Sequence, residues 1–144
     1  MAGVTKSVNP ATGEALREVA NSDLSKFAED VGRAREAQKE WRKRSFAERA
    51  REVAKVKAFL AEHAEECAEV VASCNGKTRM DALATEVLPC IMACDYYAAN
   101  AGSVLAPHLC KGGSILFANK RTTVQYSPVG VVGIVSPWNY PFSV

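Results

Sequence analysis

Apolar residues return along this chain in distinct rhythms, and each rhythm predicts a different kind of element. From Phe27 they fall at steps of three and four, through Val31, Ala34, Ala37 and Trp41. That spacing lays one buried stripe along an α-helix, which Ser22 or Asp23 can cap. Val53, Val56 and Leu60 carry a second stripe, opened by Ser45 and Glu48 as an S-x-x-E capping box. A third, shorter helix runs through Cys67, Val70, Val71 and Cys74 and stops at Asn75-Gly76, a pair suited to a C-cap. Thr78 opens the longest helical pattern, through Leu83, Val87, Ile91, Cys94 and Tyr97 to about Gly102. Pro89 lies inside it and removes one backbone donor. It predicts a kink between Thr85 and Pro89, or two helices meeting there.

The two ends read differently. SVNPATGEALREVA places turn residues between two short stretches able to pair, with Pro10 presetting φ and Gly13 free to take a positive φ. A small hairpin from about Lys6 to Ala20 is expected. After a loop, APHLCKGG, the pattern becomes β-like. RTTVQY alternates, as a strand with one wet face does, and Ser127-Pro128-Val129 can turn the chain. GVVGIV is almost continuously apolar, as a strand covered on both faces of a parallel sheet would be. Such a strand needs neighbours, and the sequence supplies few. The first strand of an α/β domain is present without the rest of it.

Composition narrows the function classes. The chain has 144 residues, the size of one ordinary domain, and a formal net charge of +2. That charge is too small to imply a nucleic-acid or membrane partner. No apolar run approaches a membrane span, and the N-terminus lacks the layout of a secretory signal, so a cytoplasmic location is expected. The five cysteines (Cys67, Cys74, Cys90, Cys94 and Cys110) are odd in number and mostly in helix-like sequence, which fits free thiols in a reducing compartment. Cys90 and Cys94 stand one turn apart without the paired C-x-x-C of a zinc site, and packed small side chains are the ordinary reading, with no metal expected. The basic run RKRSFAERAREVAKVK is interleaved with Glu48 and Glu52 and describes a solvated helix face better than a phosphate-binding one.

The closing stretch is the most specific part of the chain. SPVGVVGIVSPWNYPF closely resembles the start of the nucleotide-binding domain in the NAD(P)-dependent aldehyde dehydrogenase superfamily. Upstream features agree in order: NPATGE is similar to the family's N-terminal strand-turn, and AREAQKEWRKRSFAERA to its first helix, tryptophan and second-helix start. CNGKTRMDALATEV resembles its Thr-Gly-Lys turn and a helix bearing a Glu-Val pair, here Glu86-Val87, and DYYAANA the aromatic part of that helix. The resemblance covers residues 7–144. It implies an α/β fold in which a short β-hairpin arm and a four-helix segment precede an antiparallel hairpin that leads into the first strand of a Rossmann-like sheet. Residues 1–144 would then be the N-terminal part of the cofactor-binding domain, with oligomerisation-type strands at about 121–135 and the catalytic domain absent.

The same resemblance implies roles. Val135, Ser136, Pro137 and Trp138 would line the cleft for NAD or NADP, because ligands bind at the carboxyl ends of strands in open α/β sheets. Asn139 would turn its amide toward the oxygen of an aldehyde substrate. Thiolate attack on an aldehyde makes a tetrahedral oxyanion, and a preorganised donor to such an anion is worth about 2.7–4 kcal/mol. An asparagine amide donates without titrating, and flanking prolines reduce the reorganisation required. From the residues alone, Asn139 equally reads as a loop residue bonding its own backbone or as a cap for a helix near Pro141. The family nucleophile is a cysteine far downstream of the pentapeptide, and none of the five cysteines here lies there. The general-base glutamate and the lysine of the cofactor ribose site are missing too.

The resemblance therefore implies NAD(P)-dependent oxidation of an aldehyde to a carboxylic acid through a cysteine thiohemiacetal, by a homo-oligomer when complete, with this chain alone inactive. The alternative is a non-catalytic interaction module that pairs with full-length subunits through its edge strands. The aldehyde, and the choice between NAD and NADP, rest on residues outside this stretch.

Overall fold

The computed structural model describes residues 3–143. The arm is a hairpin of β1 (Val4–Val8) and β2 (Ala15–Ala20), antiparallel, with Val4 opposite Ala20 and a register shift between Ser7 and Val8. The turn works as its residues require. Asn9 Oδ1 accepts from the Ala11 N–H at 2.9 Å, and Gly13 takes φ 74°.

Four helical stretches follow. A single 3-10 turn at Leu24–Lys26, capped by the Asp23 carboxylate, leads into α1 (Phe27–Trp41). The capping box opens α2 (Phe46–Glu62): the Glu48 N–H donates to Ser45 Oγ at 3.2 Å, and the Ser45 N–H to the Glu48 carboxylate at 2.7 Å. These bonds hold the Glu48 carboxyl below the ordinary range, the backbone N–H of Ser45 contributing most. Helix α3 (Ala64–Asn75) ends at Gly76, whose φ of 82° is the left-handed C-cap. The last stretch is α4 (Arg79–Ala82), a π-helical turn at Leu83–Val87, and α5 (Leu88–Val104).

The π turn resolves the expected problem at Pro89. The Leu88 N–H reaches back five residues to the Leu83 carbonyl. The widened turn leaves Pro89 in the first turn of α5, where a missing N–H is tolerated. The helix is re-registered at this point rather than simply bent.

Helices α2 and α5 pack along one another, and α3 packs against α4 and the π turn. The core is small: Ala68, Val71, Ala82 and Val87, with Phe142 packed against it. The basic run is partly compensated, since Glu52 holds both Arg44 and Lys55.

The β-rich end differs in detail from expectation. An antiparallel pair does precede the Gly130–Val135 run, but its strands are β3 (His108–Cys110) and β4 (Thr122–Val124), with His108 opposite Val124. The first of these lies in the segment read from sequence as a loop. The Gly130–Val135 run has no ladder partner among the described residues, and Val135 is 97% exposed. Its apolar content suits a covered strand, and among the described residues Val132, Ile134 and Val135 stay largely uncovered. The α1 stripe shows the same effect. Val31 and Ala34 are half-buried, and an open cleft of about 810 Å³ separates α1 from Val129–Gly133.

Candidate functional site: a clamped Pro-Trp-Asn-Tyr-Pro segment

The chain returns to the helices at residues 137–142, and a small set of polar contacts receives it. The key group is Glu86, carried by the π turn and fully buried. A carboxylate so placed needs strong partners, because burying an unpaired charge costs several kcal/mol. One carboxylate oxygen takes the Lys77 ammonium at 2.6 Å. The other accepts the Phe142 N–H at 2.8 Å. Lys77 lies just past the Gly76 cap, so the end of α3 delivers it to this point. Its Nζ also sits 3.9 Å from the centre of the Tyr140 ring, a cation–π contact. One residue before the cap, Asn75 Nδ2 donates to the Trp138 carbonyl at 2.7 Å. The Cys90 thiol, on α5, points at the Phe142 carbonyl at 3.6 Å.

These contacts bracket one residue. Trp138 is held by its carbonyl, Tyr140 by its ring and Phe142 by its N–H, and Pro137 and Pro141 stiffen the intervening backbone. Asn139 lies between them, exposed, and none of the described side-chain hydrogen bonds uses its amide. Trp138 is 86% exposed and Pro137 half-buried. Val135, Ser136 and Trp138 all face solvent on the same short run. The structure thus brings the sequence-predicted residues together as one open edge beside a fixed loop.

Cys90 stands close to this segment, yet it is poorly suited to attack. Burial, with the charges of Cys94 and Glu86 adding to it, pushes its thiol up, away from the thiolate. All five cysteines are free. Among the described residues no group of three His, Cys, Asp or Glu side chains is arranged to hold a metal ion. No described helix is long and apolar enough to cross a membrane.

Sequence reasoning reached Asn139 and its neighbours through the pentapeptide but passed over Glu86, Lys77 and Asn75 as site residues. A signal was present. Glu86 shares a helical face with Ala82, Leu83 and Cys90, an apolar stripe in which a carboxylate is out of place.

Comparison with known proteins gives the class to which this helical layer and its pinned Pro-Trp-Asn-Tyr-Pro loop belong. The Aldehyde dehydrogenase family model matches residues 2–144. The chain belongs to the aldehyde dehydrogenase family. It is 36% identical over 121 residues to a protein of Mycobacterium ulcerans provisionally named an NADP+ succinate-semialdehyde dehydrogenase, covering 81% of this chain and 23% of that one. An aldehyde dehydrogenase-like protein of Schizosaccharomyces pombe, also provisionally named, is 33% identical over 132 residues, covering 92% and 25%. Among solved structures, that of Gox0499, described for its cofactor and substrate selection, superposes with a TM-score of 0.81 at 25% identity over 96% of this chain and 29% of that one. A protein of Sinorhizobium meliloti, provisionally a methylmalonate-semialdehyde dehydrogenase and complexed with NAD, gives a TM-score of 0.67 at 28% identity over 78% and 22%. The chain spans about a quarter of the length of the curated relatives it matches.

Proposed function

We propose that this chain supplies one wall and the oxyanion donor of an NAD(P)-dependent aldehyde dehydrogenase site. The observation that carries the reading is Asn139: exposed, and flanked on both sides by residues that are held. When a thiolate adds to an aldehyde carbon, negative charge develops on the carbonyl oxygen. An amide carried on a held stretch of backbone stabilises that charge at a smaller cost of reorganisation at the moment of reaction.

Val135, Ser136, Pro137 and Trp138 fit a cofactor as one wall. The exposed indole and Val135 offer apolar surface to a planar ring, and the backbone of this run is not engaged in a ladder among the described residues. Gly130 and Gly133 precede the run without opening a helix, so the phosphate grip is not theirs. When bound, NAD(P)+ supplies the hydride acceptor. Relatives named for NADP+ and a structural neighbour complexed with NAD are compatible with either dinucleotide. None of the five cysteines takes the nucleophile's role. Five free thiols suit a cytoplasmic setting.

The test exchanges this chain for the matching quarter of the Mycobacterium ulcerans relative and follows aldehyde-dependent NAD(P)H formation. Asn139→Ala in that chimaera is expected to lower kcat about 100- to 1000-fold, the loss typical of one oxyanion donor. Unchanged turnover would remove Asn139 from the reaction. The 144-residue chain by itself is expected to show no aldehyde-dependent reduction, and turnover at ordinary enzyme rates would overturn the division of labour.

A second reading, that the chain is a non-catalytic interaction module that pairs with full-length subunits through its edge strands, is favoured by the unpaired apolar run Val129–Val135.

A further inference from the structure

We propose that Asn75, Lys77 and Glu86 act as positioning residues for Asn139, forming a latch whose purpose is to hold the amide's backbone still from both sides. The proposal rests on the oxyanion reading of Asn139 for its significance, but its geometry is independent of it.

Three observations single out this group. First, Glu86 is fully buried and both its carboxylate oxygens are engaged, one by a side chain of the helical layer and one by the returning segment. A glutamate whose only task was filling the core would be replaceable by an apolar residue, and buried ion pairs often exchange for apolar groups without loss of stability. The bond to the Phe142 N–H is what an apolar replacement cannot make. Second, Lys77 serves both the carboxylate and the Tyr140 ring, so one ammonium ties the residue after Asn139 to the charge that holds Phe142. Third, Asn75 reaches the Trp138 carbonyl across 63 positions of sequence, fixing the residue before Asn139. All three come from the α3 C-cap and the π turn, two places where backbone geometry departs from the regular helix. The π turn in particular sets the direction in which Glu86 points.

The bond to Phe142 also serves the fold, since that residue packs against the core, but the contacts at 138 and 140 flank Asn139 on its two sides and leave its amide unengaged. A device that presents Asn139 must do so. The latch leaves the amide to the substrate while removing the freedom of the chain that carries it.

The test uses the 144-residue chain and reads it residue by residue with NMR. In the parent, the Phe142 amide is expected to exchange slowly, and the Asn139 side-chain NH2 to give one sharp pair of signals. Glu86→Ala should speed Phe142 exchange about 10- to 100-fold, the range for losing a hydrogen bond to a charged acceptor. It should also broaden or multiply the Asn139 signals while the amides around Val71 keep their protection. Glu86→Gln combined with Lys77→Met keeps an acceptor for Phe142 and removes both charges; it should restore the slow Phe142 exchange, while the lost ammonium contact to the Tyr140 ring leaves the Asn139 signals disturbed from that side. Asn75→Ala guards against a variant that fails to fold, since Asn75 lies outside the core, and it should disturb Asn139 from the Trp138 side alone. If Asn139 gives the same signals in Glu86→Ala and Asn75→Ala as in the parent, the latch does not position it. That failure would leave the oxyanion reading standing. Conversely, an Asn139→Ala chimaera of full activity would sink the oxyanion reading without touching the latch measurements.

Discussion

Asn139 and Cys90 lie in opposite surroundings. Asn139 is in the open, whereas Cys90 is half-buried with its thiol directed at the Phe142 carbonyl. A thiol is reactive as its anion, and burial resists the anion. The nearby Glu86 carboxylate acts in the same direction. Cys74, by contrast, is exposed at the end of α3. Alkylation with iodoacetamide at neutral pH should therefore label Cys74 well before Cys90. Labelling of Cys90 should accelerate only at pH values above the ordinary thiol range, about 8.5. Peptide mass mapping against time gives both rates. Equal labelling at neutral pH would mean that Cys90 is not held as its contacts indicate, and would reopen it as a chemical group of the site.

At the scale of elements, the turn after α3 joins three parts of the molecule. Gly76 adopts a left-handed φ, and a Cβ placed there would lie 2.9 Å from Pro10 Cγ in the hairpin arm. Its neighbours Asn75 and Lys77 receive the returning segment. Gly76→Ala should lower stability to chemical denaturation by about 1–2 kcal/mol through the left-handed backbone, with a further loss from the contact with Pro10. Adding Pro10→Ala should recover the contact share and leave the backbone share. Full recovery would show that the backbone is not strained, and no loss at all would dissociate the arm from the helices. The Asn75-Gly76 cap, the Ser45–Glu48 box and the positive φ of Gly13 were all legible in the sequence, because each is a bargain struck among residues a few positions apart. Pro89 was legible as a disturbance, but not as a π turn, since a missing donor says only that the ladder must change. Strand β3 was hidden because His108–Cys110 gains its identity from Thr122–Val124, and so short a strand carries no pattern of its own. The latch was hidden for the same reason at longer range, since Glu86 meets its backbone partner 56 positions away.

The whole molecule is unusually open. It exposes 11463 Å², whereas a compact monomer of its 15.5 kDa would expose about 7200 Å². The difference of about 4200 Å² is several times what one partner buries in a standard interface, about 800 Å². Part of it lies where the sequence pattern asked for cover: Val129, Val132, Ile134 and Val135 along one unpaired run, and Ile115 and Leu116 in the loop between β3 and β4. Unpaired backbone beside exposed β-branched side chains is a template for strand addition. Two consequences follow for the chain in solution. It should co-elute in size-exclusion chromatography with a full-length relative, and by itself it should elute above the mass of a monomer, increasingly so at higher concentration. Val132→Lys together with Ile134→Lys places charges on the run without touching the core or the Glu86 contacts, and should shift both measurements toward a free monomer. If the parent chain stays monomeric at every concentration and ignores the relative, the exposed run is not an interaction surface. If instead the lysine variant associates as strongly as the parent, the attraction lies elsewhere on the molecule, with the Ile115–Phe117 turn as the next apolar surface to test.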